Sequence, residues 1–348
     1  MNTNKLRIAL VGCGGVAKRY RKTYAALPDV EVAVAMDVDE AEARRAADET
    51  GAARVSTSFS EALAADVDGV VITTPNHLHR DQAVAALEAG KHVLLQKPMA
   101  RTVAECDDIL AAAGSSRKTL AIYMNLLDHP LFRDLRCMIR NGYLGKIALV
   151  SARLAHRGGL SWQGGEANWR SSSGKTGGGS FMQLAVHYEH LIRWLLGDRV
   201  VRVQAFAKNL ACPQLQGDDL MLAHLELAGG AYADLQTSWC AQEEHFSILG
   251  TGGSIHYRDN RWLEFTGEGG PFEGQSIRLS GAGAREVVDP LLAPEWDDAA
   301  NPFNQHASFC AAVRSGSPPE VPGEEGREGV RVTQACYESA RSEHVIHL

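Results

Sequence analysis

Paired cysteines are the first thing this sequence lacks. Its seven cysteines, at 13, 106, 137, 212, 240, 310 and 336, include no C-x-x-C pair. That scatter argues against a disulfide frame or a zinc site and fits reduced thiols in a cytosol. An excess of positive charge is also missing: the formal net charge is -7, which argues against a nucleic-acid surface. No apolar run approaches membrane-spanning length, so no membrane partner is expected. The opening MNTNKLRIALVG runs straight into an apolar strand, so no signal peptide is expected and the expected setting is cytoplasmic. Internal repeats and low-complexity tracts are absent. What is present is a 348-residue chain, 45% apolar and 22% charged, long enough for two domains that each bury a core.

The chain is organised around its beginning. Leu6 to Val11 is an apolar run that ends in Gly12-Cys13-Gly14-Gly15-Val16-Ala17, after which Lys18 to Leu27 reads as helix. Strand, G-x-G-x-x-A turn and helix in that order form the dinucleotide-binding fingerprint. Gly12 permits the tight turn, Gly14 lets the backbone approach a pyrophosphate, and Ala17 allows close helix–strand packing. A second strand, Val30 to Met36, ends in Asp37, twenty residues beyond Ala17. A carboxylate there accepts hydrogen bonds from both ribose hydroxyls of NAD and repels a 2′-phosphate. With no Arg or Lys at positions 38 to 42, the expected cofactor is NAD rather than NADP.

Glu40 to Thr50 reads as a surface helix closed by Gly51, and Phe59 to Ala65 as a short one. Gly69 to Thr73 is a buried parallel strand by its continuous apolar run. The loop after it, Thr74-Pro75-Asn76-His77-Leu78-His79, is a candidate wall of the cofactor crevice and leads into a helix at His79 to Ala89. His77 and His79 alone do not make a metal site. His92 to Leu95 is a further strand, followed by Gln96-Lys97-Pro98, which places a lysine near the cofactor's reactive end. Val103 to Ala113 reads as helix and Thr119 to Met124 as a strand. The expectation is a doubly wound α/β domain over residues 1–124.

From Asn125 the pattern changes, and 125–348 is expected to form an α+β domain for substrate binding and oligomerisation. Pro130 to Asn141 is an amphipathic helix ended by Gly142, and Ala148 to Leu154 a strand. Further strands are expected at Val200 to Lys208, Met221 to Leu227, Ala231 to Trp239, His245 to Gly250, Gly253 to Tyr257 and Arg261 to Phe265. Consecutive alternating runs joined by short turns predict a large, mostly antiparallel sheet. Trp162 to Thr176 reads as a loop over the site, and the glycine-rich Gly267 to Gly283 as a mobile one. Ser173-Gly174-Lys175-Thr176 is not a phosphate loop, because Trp169 occupies the position of the required first glycine and no strand leads in. Gly177-Gly178-Gly179 begins a helix that runs to Leu196 with Gly197 after it, and Gln183 and His187 share one face at i,i+4. His190 reads as packed or solvated, and no metal is expected. Helices at Asn301 to Ser315 and Gly326 to Arg341 and a strand at His344 to Leu348 finish the chain.

The fingerprint, the TTPNHLH loop, the Lys97-Pro98 pair and the Gly177 to Gly197 segment together resemble the Gfo/Idh/MocA family of nicotinamide-dependent sugar and polyol oxidoreductases, over nearly the whole length. The resemblance implies that Lys97 is the catalytic lysine, in a Lys-Pro peptide often cis in relatives, and that His187 is the general acid/base. Two positions depart from the family: Gln96 stands where relatives carry Glu, and Gln183 where they carry Asp. The catalytic set expected is Lys97, His187 and Gln183. Cofactor contacts are expected from Gly12 to Ala17, Asp37, Thr74, Pro75, Asn76, His79, Gln96 and Lys97. Loop position assigns the substrate to Asn125, His156, Trp162 and Arg170. Oxidation of a secondary alcohol needs a base for the hydroxyl proton, which His187 supplies, and a cation to lower that oxygen's proton affinity, which Lys97 supplies. The expected activity is therefore NAD-dependent oxidation of a sugar, glycoside or cyclitol hydroxyl, or the reverse reduction. The alternatives are a redox-neutral oxidation–elimination with retained NAD, and a non-catalytic NAD- or sugar-sensing regulator. A homodimer or homotetramer through the open sheet face is the resemblance's further implication.

Overall fold

Leu6–Val11 forms β1 with all but one residue buried, and its neighbours on both sides are likewise apolar strands. The computed structural model describes residues 5–165, 168–258, 262–269, 273–274, 276–280 and 304–348. In the first half the elements alternate as β1, α1 (Ala17–Ala26), β2 (Val30–Met36), α2 (Glu40–Thr50), β3 (Arg54–Ser56), α3 (Phe59–Leu63), β4 (Gly69–Ile72), α4 (Asn76–Glu88), β5 (His92–Gln96), α5 (Val103–Ser116) and β6 (Leu120–Tyr123). The six strands are parallel in the order β3-β2-β1-β4-β5-β6, the doubly wound Rossmann arrangement with its strand order reversing beside β1. The strand for which no apolar run stands out in the sequence is β3, a three-residue edge strand with Arg54 and Val55 exposed. Helix α4 begins at Asn76, directly after Pro75, three residues earlier than the sequence pattern indicates.

The second half contains α6 (Pro130–Arg140), β7 (Ile147–Ala155), α7 (Gly158–Ser161), α8 (Ser173–Thr176), α9 (Ser180–Leu196), β8 (Val200–Lys208), β9 (Leu220–Leu227), β10 (Tyr232–Ser238), β11 (Glu243–Gly250), β12 (Gly253–Arg258), β13 (Trp262–Gly267) and β14 (Ser276–Ser280). Helices α10 (Gln305–Ser315) and α11 (Gly323–Ser342) and strand β15 (Ile346–His347) follow. Among the described residues these strands form one sheet in the order β14-β13-β12-β11-β7-β10-β9-β8-β15. It is mostly antiparallel, with one parallel pair where β7 lies between β10 and β11. Consecutive strands β10 and β11 are therefore not neighbours, an insertion that local alternation does not encode. Part of the stretch expected as a mobile loop is strand β14, hydrogen-bonded to β13; residues 270–272, 275 and 281–283 lie outside the described residues. The segment Trp162 to Thr176, expected as loop, holds a 3-10 turn at Trp169–Ser171 and the four-residue α8, both too short to leave a periodic signal.

Packing divides the chain into two units: the stretch to Met124 with Asn304–Val330, and Asn125–Phe303 with Arg331–Leu348. The expected partition at 124/125 thus loses 304–330 from its second part. The reasons are side chains of α10 and α11. Phe309 and Cys310 join the core formed by Leu6, Ile8, Leu10, Tyr20 and Tyr24. Gln305 accepts from the Met124 N–H at 2.9 Å and donates back to its carbonyl. At Gly326 a Cβ would lie 2.6 Å from Ile122, so only glycine lets α11 approach β6.

His306 in the first unit sits between the rings of Tyr20, Tyr24 and Tyr123, with centroids 4.3, 4.7 and 4.9 Å away, and its Nδ1 is 2.8 Å from the Tyr24 hydroxyl. Burial pushes its pKa down to about 3. His190 in the second unit is pushed down to about 3 by burial, then by Arg193 and Arg136. Both stay neutral in the fold, whereas an unfolded histidine protonates near 6.5. Below pH ~6.5 the unfolded chain binds more protons, so stability is lost as pH falls, by roughly 1.4 kcal/mol per pH unit for each histidine. Urea unfolding between pH 8 and pH 5 is expected to show this decline, with a shallower slope in His306→Phe.

Candidate functional site

The glycine turn is built around one close approach and one open face. Gly12 has φ +85°, and a Cβ there would come within 2.9 Å of the Thr73 backbone, so the turn presses against the end of β4. Thr73 donates its N–H to the Val11 carbonyl at 2.8 Å and its hydroxyl to the Gly12 carbonyl. At Gly14 and Gly15, by contrast, an added Cβ would meet nothing within 4 Å. Helix α1 then follows Val16, which gives it no side-chain cap, and has no acidic residue in its first turn. Open glycines followed by uncapped N–H groups make an anion-binding terminus, so the turn fits a pyrophosphate. Asp37 closes the other side. Its Oδ2 accepts the Cys13 N–H at 2.6 Å and its Oδ1 the Asp39 N–H at 3.0 Å, which fixes the carboxylate and leaves each oxygen further acceptor capacity. Cys13 itself points inward: burial and then Asp37 push its thiol up to about 12, so it is inert.

Sequence reasoning missed Arg21. This buried residue of α1 donates to the Cys13 carbonyl and pairs with Glu42 at 3.1 Å and Glu49 at 3.3 Å, tying the glycine turn to α2. The signal was hidden because an arginine amid Lys18, Arg19 and Lys22 reads as solvated surface.

The two loops expected to wall the crevice are joined by one imidazole. His79 is fully buried, with Nε2 2.8 Å from the Thr74 carbonyl oxygen and Nδ1 2.9 Å from that of Pro98. Burial lowers its pKa, against the opposing pull of these carbonyls. Thr74 donates to Gln82 at 2.6 Å, Pro75 caps α4 and Asn76 is buried behind it. The Lys97-Pro98 peptide is cis. Gln96 accepts the Lys97 N–H at 2.7 Å and donates to the Tyr20 hydroxyl at 2.7 Å, so both ends of its amide are used. Lys97 itself is half-buried, one residue past the end of β5.

In the second unit α9 is buried from Ser180 to Arg193 except at Leu184 and His187, which lie i,i+3 on one face. Gln183, expected beside His187, is buried. The residue that holds this helix start is Asp218, which the sequence reading did not single out. Its Oδ1 accepts from the Gly179 N–H at 3.0 Å and the Tyr337 hydroxyl at 2.7 Å. Its Oδ2 accepts from the Phe181 N–H at 2.9 Å and the Ser180 hydroxyl at 2.7 Å. A carboxylate at a helix N-terminus also complements the macrodipole. The glycine triplet makes room for it: a Cβ at Gly179 would lie 2.1 Å from the Asp218 carbonyl, and one at Gly178 2.4 Å from the Tyr337 hydroxyl. Asp218→Ala takes away the acceptor shared by the Gly179 and Phe181 N–H groups and the Ser180 and Tyr337 hydroxyls, of which Gly179 and Ser180 keep a second partner in Tyr337 and Thr237, and is expected to destabilise by about 3 kcal/mol. A thermal midpoint lower by roughly 5–10 °C checks it.

Three of the four residues assigned to substrate gather together. His156 and Trp162 rings are 5.9 Å apart, and the Arg170 guanidinium lies 5.9 Å from Trp162 and 4.4 Å from Trp169. Trp162 rests on Trp239 at 4.8 Å, in a cluster that also takes in Leu184 of α9. Asn125 begins a separate 3-10 turn, Asn125–Asp128, that packs against α9. Among the described residues no three His, Cys, Asp or Glu side chains gather as metal ligands, and no helix is long and apolar enough to cross a membrane.

The family model described as an oxidoreductase family with an NAD-binding Rossmann fold matches residues 6–124, and that of the GFO/IDH/MocA C-terminal domain matches 132–256. The chain is 26% identical to 1,5-anhydro-D-fructose reductase of Ensifer adhaerens, over 92% of each protein. It is 31% identical to inositol 2-dehydrogenase 1 of Saccharopolyspora erythraea, over 68% of each. Its fold superposes with a TM-score of 0.80 on GenD2 from gentamicin A biosynthesis in complex with NAD, at 25% identity over 99% of this chain and 97% of that one. An uncapped helix behind an open glycine turn, and these matches over both halves, give the chain its place: it belongs to the Gfo/Idh/MocA family and is an oxidoreductase.

Proposed function

We propose that this protein oxidises a secondary hydroxyl of a sugar, glycoside or cyclitol with NAD, or reduces the corresponding ketone. The observation that carries the reading is the glycine turn, open at Gly14 and Gly15 with Asp37 fixed beside it. The names of the relatives, a reductase of an anhydro-sugar and an inositol dehydrogenase, support the substrate class. Residues Gly12 to Ala17 would hold the pyrophosphate and Asp37 the ribose, and the negative charge of Asp37 favours NAD over NADP. Thr74, Pro75, Asn76, Gln96 and Lys97 line or support the same crevice, and His79 fixes its two loops. NAD, when bound, supplies the hydride acceptor. His187 takes the proton of the reacting hydroxyl, and the half-buried Lys97 cation lowers that oxygen's proton affinity. Gln183 supports the start of the His187 face, and Asn125, His156, Trp162 and Arg170 hold the sugar.

Two further features support the setting. All seven cysteines are free thiols, which fits a reducing cytosol. On the outer sheet face Phe206 of β8 lies opposite Leu222 of β9, both exposed, with Tyr232 exposed on β10. Apolar side chains on an open sheet face fit a homodimer or homotetramer formed through it. The test is incubation with NAD or NADP and a panel of sugars, glycosides and inositols, read by absorbance of the reduced cofactor. Reduction of NAD in preference to NADP by at least one polyol is the expected result. No reduction with any of them, and no reverse reaction with keto-sugars, overturns the reading.

A further inference from the structure

The parallel sheet of the first unit has two ends, and the glycine turn uses one of them. At the other, the chain enters the strands. Lys5 directly precedes β1, Asp68 precedes β4, His92 opens β5, and Lys118 lies shortly before β6. Parallel pairing of β1 with β4, β4 with β5 and β5 with β6 brings these four positions side by side. Arg314, near the end of α10, joins them, and together they line a cavity of about 310 Å³. It is separated from the glycine turn by the length of β1, about 20 Å for a strand of six residues.

The lining is biased toward cations. Lys5, Lys118 and Arg314 stand against Asp68, the only carboxylate among the described lining residues. That carboxylate is engaged, since its Oδ2 accepts the Arg7 N–H at 2.8 Å. Arg314 donates to the Asp29 carbonyl at 2.6 Å and to its carboxylate at 3.4 Å, two bonds from a side chain that has five N–H donors. The Lys118 stem runs past Gly90, where an added Cβ would lie 3.8 Å from its Cε. His92 supplies a neutral donor. The Thr119 N–H donates to its Nδ1 at 3.0 Å, so the ring proton resides on Nε2. Burial, and then the Lys118 charge, hold this imidazole's pKa below the ordinary value against the pull of Asp68.

We propose that this cavity binds a phosphate dianion, free or as the head of a small monoester, on Lys5, His92, Lys118 and Arg314, and that the bound anion ties α10 to the edge of the sheet. Three cations around one cavity repel one another until an anion enters, and the Coulomb gain is larger where Leu6 and Val67, both buried, make up part of the wall. A carboxylate brings one charge and two oxygens, too few for three cations and an imidazole N–H. A phosphate brings two charges and three or four acceptor oxygens, and the guanidinium fork matches it bidentately. The site lies at the opposite end of the strands from the turn that fits a pyrophosphate, so it adds to the oxidoreductase reading and does not depend on it.

The experiment is calorimetric titration of inorganic phosphate into the full chain at low salt, with NADH present to fill the glycine turn. Glycerol 3-phosphate, acetate and glycerol are the companion probes. Phosphate is expected to bind at a single site with a Kd of about 1 mM or tighter, and to weaken as salt is added. Tighter binding of glycerol 3-phosphate assigns the cavity to a monoester, and tighter binding of inorganic phosphate to the free ion. Lys118→Gln and Arg314→Gln should each weaken binding about tenfold, as loss of a charged hydrogen bond does. Lys146→Gln, in the second unit, should leave it unchanged. Because Arg314 also holds Asp29, Lys118→Gln carries the test if Arg314→Gln does not fold. The ring signals of His92 in NMR spectra, assigned by their loss in His92→Gln, should move as phosphate is added. No saturable binding, acetate binding as tightly as phosphate, or phosphate binding that survives Lys5→Gln combined with Lys118→Gln overturns the site; the last result would place the anion on the glycine turn instead.

Discussion

His187→Ala is expected to lower kcat/KM for the best sugar by about 10²- to 10⁴-fold, the range typical of a lost general base. On α9 the ring is one of two side chains between Ser180 and Arg193 that are only partly buried, and the other, Leu184, has no group that titrates. A half-buried imidazole on an otherwise buried stretch of helix is a group suited to proton transfer. Steady-state kinetics with circular dichroism as a check on folding measure the effect. Added imidazole should restore part of the rate, because the cavity left by alanine accepts a free base; a merely structural role for the ring would give no rescue. A loss below tenfold would remove His187 from the chemistry.

The second large effect is expected at Lys97. Lys97→Met keeps the length of the stem and removes the charge, and kcat should fall by about a hundredfold or more. The charge acts on an alkoxide that exists only on the way to product, so the loss should appear in kcat rather than in KM. NADH binding, followed by fluorescence, should weaken far less than the rate falls. Lys97→Arg tests geometry: the charge survives, but a planar fork replaces a compact ammonium, so only part of the rate should return. Equal losses in cofactor binding and in rate would make Lys97 a binding residue and no more.

Gln96 and Gln183 have different structural consequences. Gln96 uses its carbonyl for the Lys97 N–H and its amide for Tyr20, whose ring packs edge-on against Tyr123 at 4.7 Å. A carboxylate could accept both bonds only if Tyr20 turned its hydroxyl to donate. The amide thus couples the lysine loop to a buried aromatic cluster. Gln183, one turn from His187, is neutral, so the imidazole there has no adjacent carboxylate on its own helix face.

Much of the first unit was legible in the sequence because its determinants are local. An apolar run, three glycine-turn positions, a helix and an aspartate at the end of the next strand lie within about forty residues, and each is set by sterics or hydrogen bonding along a short stretch of chain. The same holds for the end of α9, where Gly197 takes the left-handed conformation that closes the helix. The strand insertion of β7 beside β10, the return of Phe309 and Gln305 to the Rossmann core, and the pairing of Asp218 with the start of α9 join residues far apart in the chain. No window of sequence contains both partners, so composition and periodicity carry no trace of them. Arg170 shows the difference most sharply. As a sequence position it is a polar residue in a glycine-rich segment; only the packing of Trp162 and Trp169 around it turns an ordinary surface cation into a partly desolvated one.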